Sequence, residues 1–208
     1  AKLCMQIGHS GRKGSTQVGW EEMDAPLGNG NWPLISASAI PWSSSNATPK
    51  EMDRADMDRI RDAFGNAARM AEEAGFDIIE LHCGHGYLLS SFISPLTNQR
   101  EDGYGGSLGN RMRFPLEVFE AVRGAFSDNK PISARISAFD WVDGGTTEED
   151  AVEIGRLFKR AGLDILDVST GNVVPGARPT VTGLFQTTFS ENIKRKTGIP
   201  TMTVGNIT

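Results

Sequence analysis

Residues 81–116 read LHCGHGYLLSSFISPLTNQREDGYGGSLGNRMRFPL and contain two of the chain's three histidines. A short apolar run, FDIIE at 76–80, precedes them and predicts a buried strand whose end carries His82 and His85. Ligands of parallel α/β proteins bind at the carboxyl ends of strands, where irregular backbone can reach a substrate. His82, His85 and Tyr87 therefore predict an active site in which two imidazoles and a phenol bind a carbonyl substrate and carry protons.

On both sides of this stretch, apolar runs typical of strands alternate with helices that begin at capping residues. Asp53, Ser107 and Thr147 are each placed to cap the N-terminus of a helix. The predicted strands cover residues 2–8, 76–82, 131–137, 164–170 and 199–205, and the predicted helices cover residues 53–74, 107–126, 147–161 and 189–196. This alternation predicts a parallel sheet joined by right-handed crossovers. An open doubly wound sheet also fits the order, although no Gly-x-Gly-x-x-Gly follows any strand.

The connection from about residue 13 to residue 50 is rich in Gly, Ser, Pro and Trp. A connection this long inside a compact domain is more often a functional lid than a plain linker. We therefore expect it to cover part of the active site.

Composition narrows the class of protein. The chain has 208 residues, of which 38% are hydrophobic, and a net charge of -5, which is typical of one globular domain with a sizeable core. Acids and bases are interspersed, which disfavours a nucleic-acid surface, and no apolar run reaches membrane length. Without a signal peptide, we expect a cytoplasmic protein with Cys4 and Cys83 as buried, reduced thiols.

The histidine stretch matches a known family at many positions. The matching residues are His82, His85, Gly86, Tyr87, Leu88, Leu89, Phe92, Ser94, Pro95, Asn98, Arg100, Asp102, Tyr104, Gly105, Gly106, Ser107, Asn110, Arg111, Arg113 and Phe114. Together with a Gln-x-x-His-x-Gly-Arg motif at residues 6–12, they resemble the Old Yellow Enzyme family of FMN-dependent ene-reductases.

This resemblance implies a (β/α)8 TIM barrel, and residues 1–208 are expected to be part of one FMN-binding barrel domain. A complete barrel typically takes roughly 250 residues. The first predicted strand resembles the family's third and the last its seventh, so we expect a partial barrel of about strands 3 to 7.

The resemblance also assigns roles at the predicted active site. It implies that His82 and His85 bind the carbonyl oxygen of an unsaturated substrate, where negative charge develops during hydride addition. It implies that Tyr87 delivers a proton to the α-carbon. A metal site is disfavoured, because only His9 and scattered carboxylates could complete it.

For the cofactor, the resemblance implies that Gln6 and Arg135 contact the pyrimidine edge of FMN and that Gly205 lies near its phosphate. An alternative for Arg135 is an ion pair with Asp167 inside the sheet. Five charged or polar residues of the matching stretch are interpreted as loop scaffolding, namely Arg100, Asp102, Asn110, Arg111 and Arg113.

The expected function is that of an FMN-dependent NAD(P)H oxidoreductase of the ene-reductase type, acting on an activated alkene or enone, in a protein that forms homo-oligomers. The loops at residues 11–16 and 30–42 resemble the reductase region of bifunctional salicylyl-CoA 5-hydroxylase and 2-aminobenzoyl-CoA monooxygenase/reductase proteins, which implies an aryl-CoA substrate. The alternatives are an FMN barrel that dehydrogenates an amine or reduces a tRNA base, and an incomplete barrel without activity of its own.

Overall fold

The computed structural model describes residues 1–207 and contains a five-stranded parallel sheet with helices between its strands. The elements in chain order are β1 (Cys4–Ile7), β2 (Ile35–Ser36), β3 (Lys50–Glu51), α1 (Arg54–Glu73), β4 (Ile78–Cys83), α2 (Leu88–Ile93), α3 (Leu108–Ala125), β5 (Ile132–Ser137), α4 (Glu148–Ala161), β6 (Ile165–Ser169), α5 (Thr187–Thr197) and β7 (Thr201–Thr203). In residues 1–207, none of the helices combines the length and apolar character that crossing a membrane requires.

The main sheet has the strand order β1-β4-β5-β6-β7, and every neighbouring pair in it is parallel. Each strand of the main sheet therefore lies beside the one that follows it in the chain within that sheet. Helices α1, α3, α4 and α5 lie in the connections. The predicted α/β fold with a parallel sheet is confirmed.

The predicted helix starts follow from local hydrogen bonding. Asp53 accepts a hydrogen bond from the Asp56 N–H at 2.9 Å, and Thr147 accepts one from the Asp150 N–H at 3.2 Å. Both form reciprocal capping boxes, which satisfy N–H groups that have no partner in the first helical turn. Helix α4 ends as predicted at Gly162, whose φ of +96° is left-handed.

Helix α2 and strands β2 and β3 were absent from the sequence prediction. Helix α2 is buried at every residue and has no side-chain cap, so it shows neither the amphipathic period nor the start signal of a surface helix. Strands β2 and β3 pair inside the long connection, where Lys50 N–H donates to Leu34 O at 2.8 Å. Two-residue strands leave no periodic pattern in a sequence, which is why the connection was interpreted as a loop.

The two faces of the main sheet differ because successive strand side chains point to opposite sides. On one face, residues such as Leu81, Ala134 and Leu166 are fully buried against the helices. The other side, here called the polar face, carries the following side chains: Gln6, Glu80, His82, Arg135 and Asp167.

The cysteines lie on different faces, so one expectation about them was wrong. Cys83 is buried, whereas Cys4 is exposed because it follows the same alternation as Gln6 on strand β1. Both are free thiols.

Candidate functional site

The structure brings His82, His85 and Tyr87 together at the carboxyl end of β4. The His82 ring centroid lies 5.1 Å from that of His85 and 5.0 Å from that of Tyr87. The backbone of His85 is left-handed, with a φ of +59°. Its N–H donates to Ser137 Oγ at 2.9 Å, and this bond to the end of β5 holds the unusual conformation.

Gly86 allows the chain to turn back over the site. Its φ is +74°, and an added Cβ would lie 2.8 Å from the Val173 carbonyl oxygen. Only glycine fits such a close backbone approach. The turn ends at Tyr87, which directly precedes α2.

Hydrogen bonds determine which ring nitrogens of the two histidines carry protons. His82 Nδ1 accepts from the Gly84 N–H at 3.2 Å, so the proton of a neutral His82 is on Nε2. That Nε2 lies 3.3 Å from His85 Nδ1, which must accept, and His85 is left with its Nε2–H as a free donor. In this arrangement one imidazole donates to the other, so two donors for one substrate oxygen would require a ring to turn.

Both imidazoles are neutral near pH 7. Burial, and secondarily the charges of Arg135 and Lys13, lower the pKa of His82 to about 4. Burial lowers the pKa of His85 to about 3, with further contributions from His82, Arg135 and Lys13. The pair therefore offers N–H donors without positive charge.

A cavity of about 570 Å³ opens beside His85 and Tyr87. Its other walls come mainly from the long connection, as the lid prediction expected, and from Asn172 after β6. The lining residues from the connection and the preceding turn are Ser10, Lys13, Gly14, Ser15, Thr16, Gln17, Gly19, Met23, Asp24 and Trp32. Sequence reasoning missed Lys13, although it directly follows the Gly-Arg of the motif at residues 6–12.

On the polar face, Gln6 is held by a neighbour that sequence reasoning also missed. Gln6 Nε2 donates to Glu80 Oε1 at 2.8 Å, and Ser133 Oγ donates to Glu80 Oε2 at 2.9 Å. Glu80 therefore orients the Gln6 amide. Its sequence signal was a carboxylate two residues before His82, on the same side of a buried strand.

Arg135 takes part in the ion pair that was considered for it. Its Nε lies 3.3 Å from Asp167 Oδ2 and donates to Ser169 Oγ at 2.9 Å. Within residues 1–207 these are the polar contacts of the guanidinium, and the side chain is 25% exposed, so its two Nη groups remain available to a ligand. Burial, followed by the charge of Glu80, raises the pKa of Asp167 to about 6.

Gly205 lies two residues beyond the carboxyl end of β7, the edge strand opposite the Gln6 strand β1. Its φ is +99°, and an added Cβ would lie 2.6 Å from Gln186 Nε2, so the position requires glycine. Gln186 fixes this turn by donating from Nε2 to the Val204 carbonyl at 2.5 Å.

The interpretation of Arg100 and Arg111 as scaffolding is confirmed. Arg100 Nη1 donates to the Ala37 and Met52 carbonyls at 2.9 and 2.8 Å, and Arg111 Nε donates to the Ile93 carbonyl at 2.7 Å. Both side chains thus fasten loops to the body of the domain.

Comparison with known sequences identifies the family to which this α/β chain belongs. The sequence profile of the NADH:flavin oxidoreductase / NADH oxidase family matches residues 1–208, and the chain belongs to this family. This finding confirms the resemblance to Old Yellow Enzymes at the level of the family. Proteins of this family use FMN, with NAD(P)H as the reductant.

Individual relatives are similar over the whole chain. An NADPH dehydrogenase of Geobacillus sp. (strain WCH70) is 44% identical over 208 residues, which are 100% of this chain and 56% of the relative. The chain thus spans about half the length of the curated relatives it matches.

Two solved structures share the fold. A complex of 2-naphthoyl-CoA reductase with 2-naphthoyl-CoA superposes with a TM-score of 0.83 at 26% identity, covering 100% of this chain and 32% of the other. Histamine dehydrogenase from Rhizobium sp. 4-9 superposes with a TM-score of 0.79 at 27% identity, covering 99% of this chain and 29% of the other.

Proposed function

We propose that the protein is an FMN-dependent NAD(P)H oxidoreductase of the ene-reductase type, which reduces the activated alkene of an enone. The observation that carries the proposal is the cluster of His82, His85 and Tyr87 at the end of a parallel strand, beside a cavity that His85 and Tyr87 line. Neutral N–H donors next to a phenol suit a substrate whose carbonyl oxygen becomes negative while its α-carbon needs a proton.

The polar face fits the proposed cofactor. Gln6 would bind the pyrimidine edge of FMN through its oriented amide, and Arg135 would face the same edge with its free Nη groups. Gly205 would let backbone N–H groups approach the phosphate. When bound and reduced by NAD(P)H, FMN would supply a hydride.

In the proposed reaction the carbonyl oxygen of the substrate accepts a hydrogen bond from His85 Nε2–H, and from His82 once the rings separate. These donors stabilise the negative charge that develops on the oxygen when hydride reaches the β-carbon. Tyr87 then transfers its phenolic proton to the α-carbon and regains a proton from solvent. Hydride and proton together convert the C=C bond into a saturated C–C bond.

We propose further that residues 1–208 are part of one FMN-binding (β/α)8 barrel domain, and that the five long strands correspond to about strands 3 to 7 of eight. Sequential parallel strands with helices packed on one face support this placement, because barrel strands have the same arrangement. In a barrel the polar face would line the interior. The alternative is that these residues alone lack activity, and flavin absorbance of residues 1–208 beside the full-length protein would test it.

An aryl-CoA thioester is the proposed substrate class. The loops at residues 11–16 and 30–42 support it by their resemblance to reductases of such compounds. The similarity to 2-naphthoyl-CoA reductase supports it independently. Amine dehydrogenation is the second candidate, favoured by the similarity to histamine dehydrogenase.

Stopped-flow kinetics of the full-length Tyr87→Phe variant would test the function. We expect flavin reduction by NAD(P)H to keep its rate, while reoxidation by an enone slows by roughly a hundredfold, the usual size of a lost proton donor. The variant should affect the two steps differently, because only reduction of the alkene needs a proton on carbon. Equal slowing of both steps, or rapid oxidation of amines by the wild type, would contradict the proposal.

A further inference from the structure

The side chain of Lys13 forms part of the cavity wall, and within residues 1–207 its anionic partner is Asp24. It follows β1 in a 3-10 turn, and 9% of the side chain is exposed. Its Nζ lies 3.5 Å from both Asp24 Oδ2 and the His85 carbonyl oxygen. It also lies 4.1 Å from the Trp42 ring centroid and 5.3 Å from that of Tyr87.

These contacts leave the ammonium group incompletely bonded. It has three N–H donors, and a normal N–H···O hydrogen bond measures about 2.7–3.2 Å, so both oxygen contacts are long. Burying a cation without a close anion is costly, and burial lowers the pKa of Lys13 although Asp24 partly opposes this. Neither oxygen contact reaches normal hydrogen-bond length, so the ammonium group keeps donor capacity at a cavity wall that it shares with Asp24.

The neighbouring residue increases the positive charge. Arg12 is 1% exposed, and its Nη groups donate to main-chain carbonyls, at 3.0 Å for Pro41 and 2.7 Å for Val173. Within residues 1–207, no carboxylate forms an ion pair with Arg12, and Lys13 forms one, with Asp24 at 3.5 Å. Arg12 and Lys13 thus place two positive charges at or behind the cavity wall, with one carboxylate, Asp24, beside them.

We propose that Lys13 is a specificity-determining residue that binds a carboxylate of the substrate. The substrate would be an unsaturated carbonyl compound with an acid group close to the reacting atoms, since Nζ lies near both His85 and Tyr87. This inference rests on the proposed function, because it takes the carbonyl to lie at His85 and Tyr87.

The test compares a neutral and an anionic probe on the full-length, FMN-loaded protein. Cyclohex-2-en-1-one and 3-oxocyclohex-1-ene-1-carboxylate would be used for kinetics, and 4-hydroxybenzyl alcohol and 4-hydroxybenzoate for calorimetric binding. In Lys13→Met we expect the anionic probes to lose affinity by about tenfold or more, the size of one charged hydrogen bond. The neutral probes should change by less than about twofold, within the usual spread of a substitution that removes no contact to the ligand.

Two further variants separate recognition from loop structure. Lys13→Arg should keep most of the preference for the anion. Asp24→Asn should increase it, because the competing carboxylate is gone, and asparagine tolerates the left-handed φ of +64° at this position. Lys194→Met, exposed on α5, is the matched control and should leave all four probes unchanged.

An equal loss of affinity for the neutral and the anionic probes in Lys13→Met would overturn the inference. Unchanged affinity for the anionic probes would overturn it too. A wild type that reduces neither enone would refute the proposed function instead. In that case calorimetry with 4-hydroxybenzyl alcohol and 4-hydroxybenzoate would still decide whether Lys13 binds a carboxylate.

Discussion

Side chains of β4 that point to opposite sides of the sheet meet opposite environments. Leu81 is fully buried in the helix-covered core, while its neighbours Glu80 and His82 lie on the polar face and bond to side chains of other strands or of the following loop. One six-residue strand thus contributes to stability through one face and to the candidate site through the other. Substitutions at neighbouring positions of β4 should therefore change different properties, stability at Leu81 and activity at His82.

The largest expected effect is on stability. Leu81→Ala should lower the free energy of unfolding by about 2–5 kcal/mol, because it leaves a cavity in a closely packed core. Met202→Ala is the control on the same sheet, since Met202 is 41% exposed and a surface change usually costs less than about 0.5 kcal/mol. Urea unfolding of both variants checks the prediction, and equal losses would mean that the two faces do not differ.

The complementary effect is on catalysis. His82→Ala combined with His85→Ala should slow enone reduction by about a hundredfold or more, because the donors to the developing oxyanion are lost. FMN binding should remain, since Gln6 and Arg135 are intact. Steady-state kinetics with a flavin spectrum measures both, and a double variant that reduces enones normally would exclude these histidines as the substrate anchor.

Variants of Arg135 and Asp167 test whether the polar face binds FMN. Arg135→Met should weaken FMN binding by about tenfold, if its Nη groups donate to the flavin as proposed. Asp167→Asn removes the ion pair but keeps the cation, and it should leave FMN affinity closer to that of the wild type. Fluorescence titration with FMN measures the affinity of both variants. Unchanged FMN affinity in Arg135→Met would assign Arg135 to the ion pair alone.

The last expected effect is a dependence of stability on pH. An unfolded histidine has a pKa near 6.5, whereas the folded pKa values are lowered to about 4 for His82 and about 3 for His85. Above pH 6.5 both states are neutral. As the pH falls below 6.5 the unfolded state binds protons first, so each histidine should cost up to about 1.4 kcal/mol of stability per pH unit.

The measurement is urea unfolding at pH 7 and pH 5 for the wild type and for His82→Asn combined with His85→Asn. The double variant should lose less stability between these two pH values. An identical loss in both proteins would show that other groups cause the dependence.

Most of the secondary structure could be predicted because its signals are local. Asp53 and Thr147 mark helix starts by bonding to residues three positions away, and Gly162 marks a helix end by its left-handed backbone. Helix α2 could not be predicted, because a fully buried helix of six residues has no polar side to reveal a period. Its position depends on the surrounding elements.

The sequence by itself determined the alternation of strands and helices, the family, and the meeting of His82, His85 and Tyr87, because these three lie within one strand end and its loop. Only the tertiary structure decided which distant residues join them. Lys13 reaches the His85 carbonyl across 72 positions of the chain, and Gln6 reaches Glu80 across 74. Such contacts depend on the register of neighbouring parallel strands and on the path of a long loop, and neither property leaves a local pattern in the sequence.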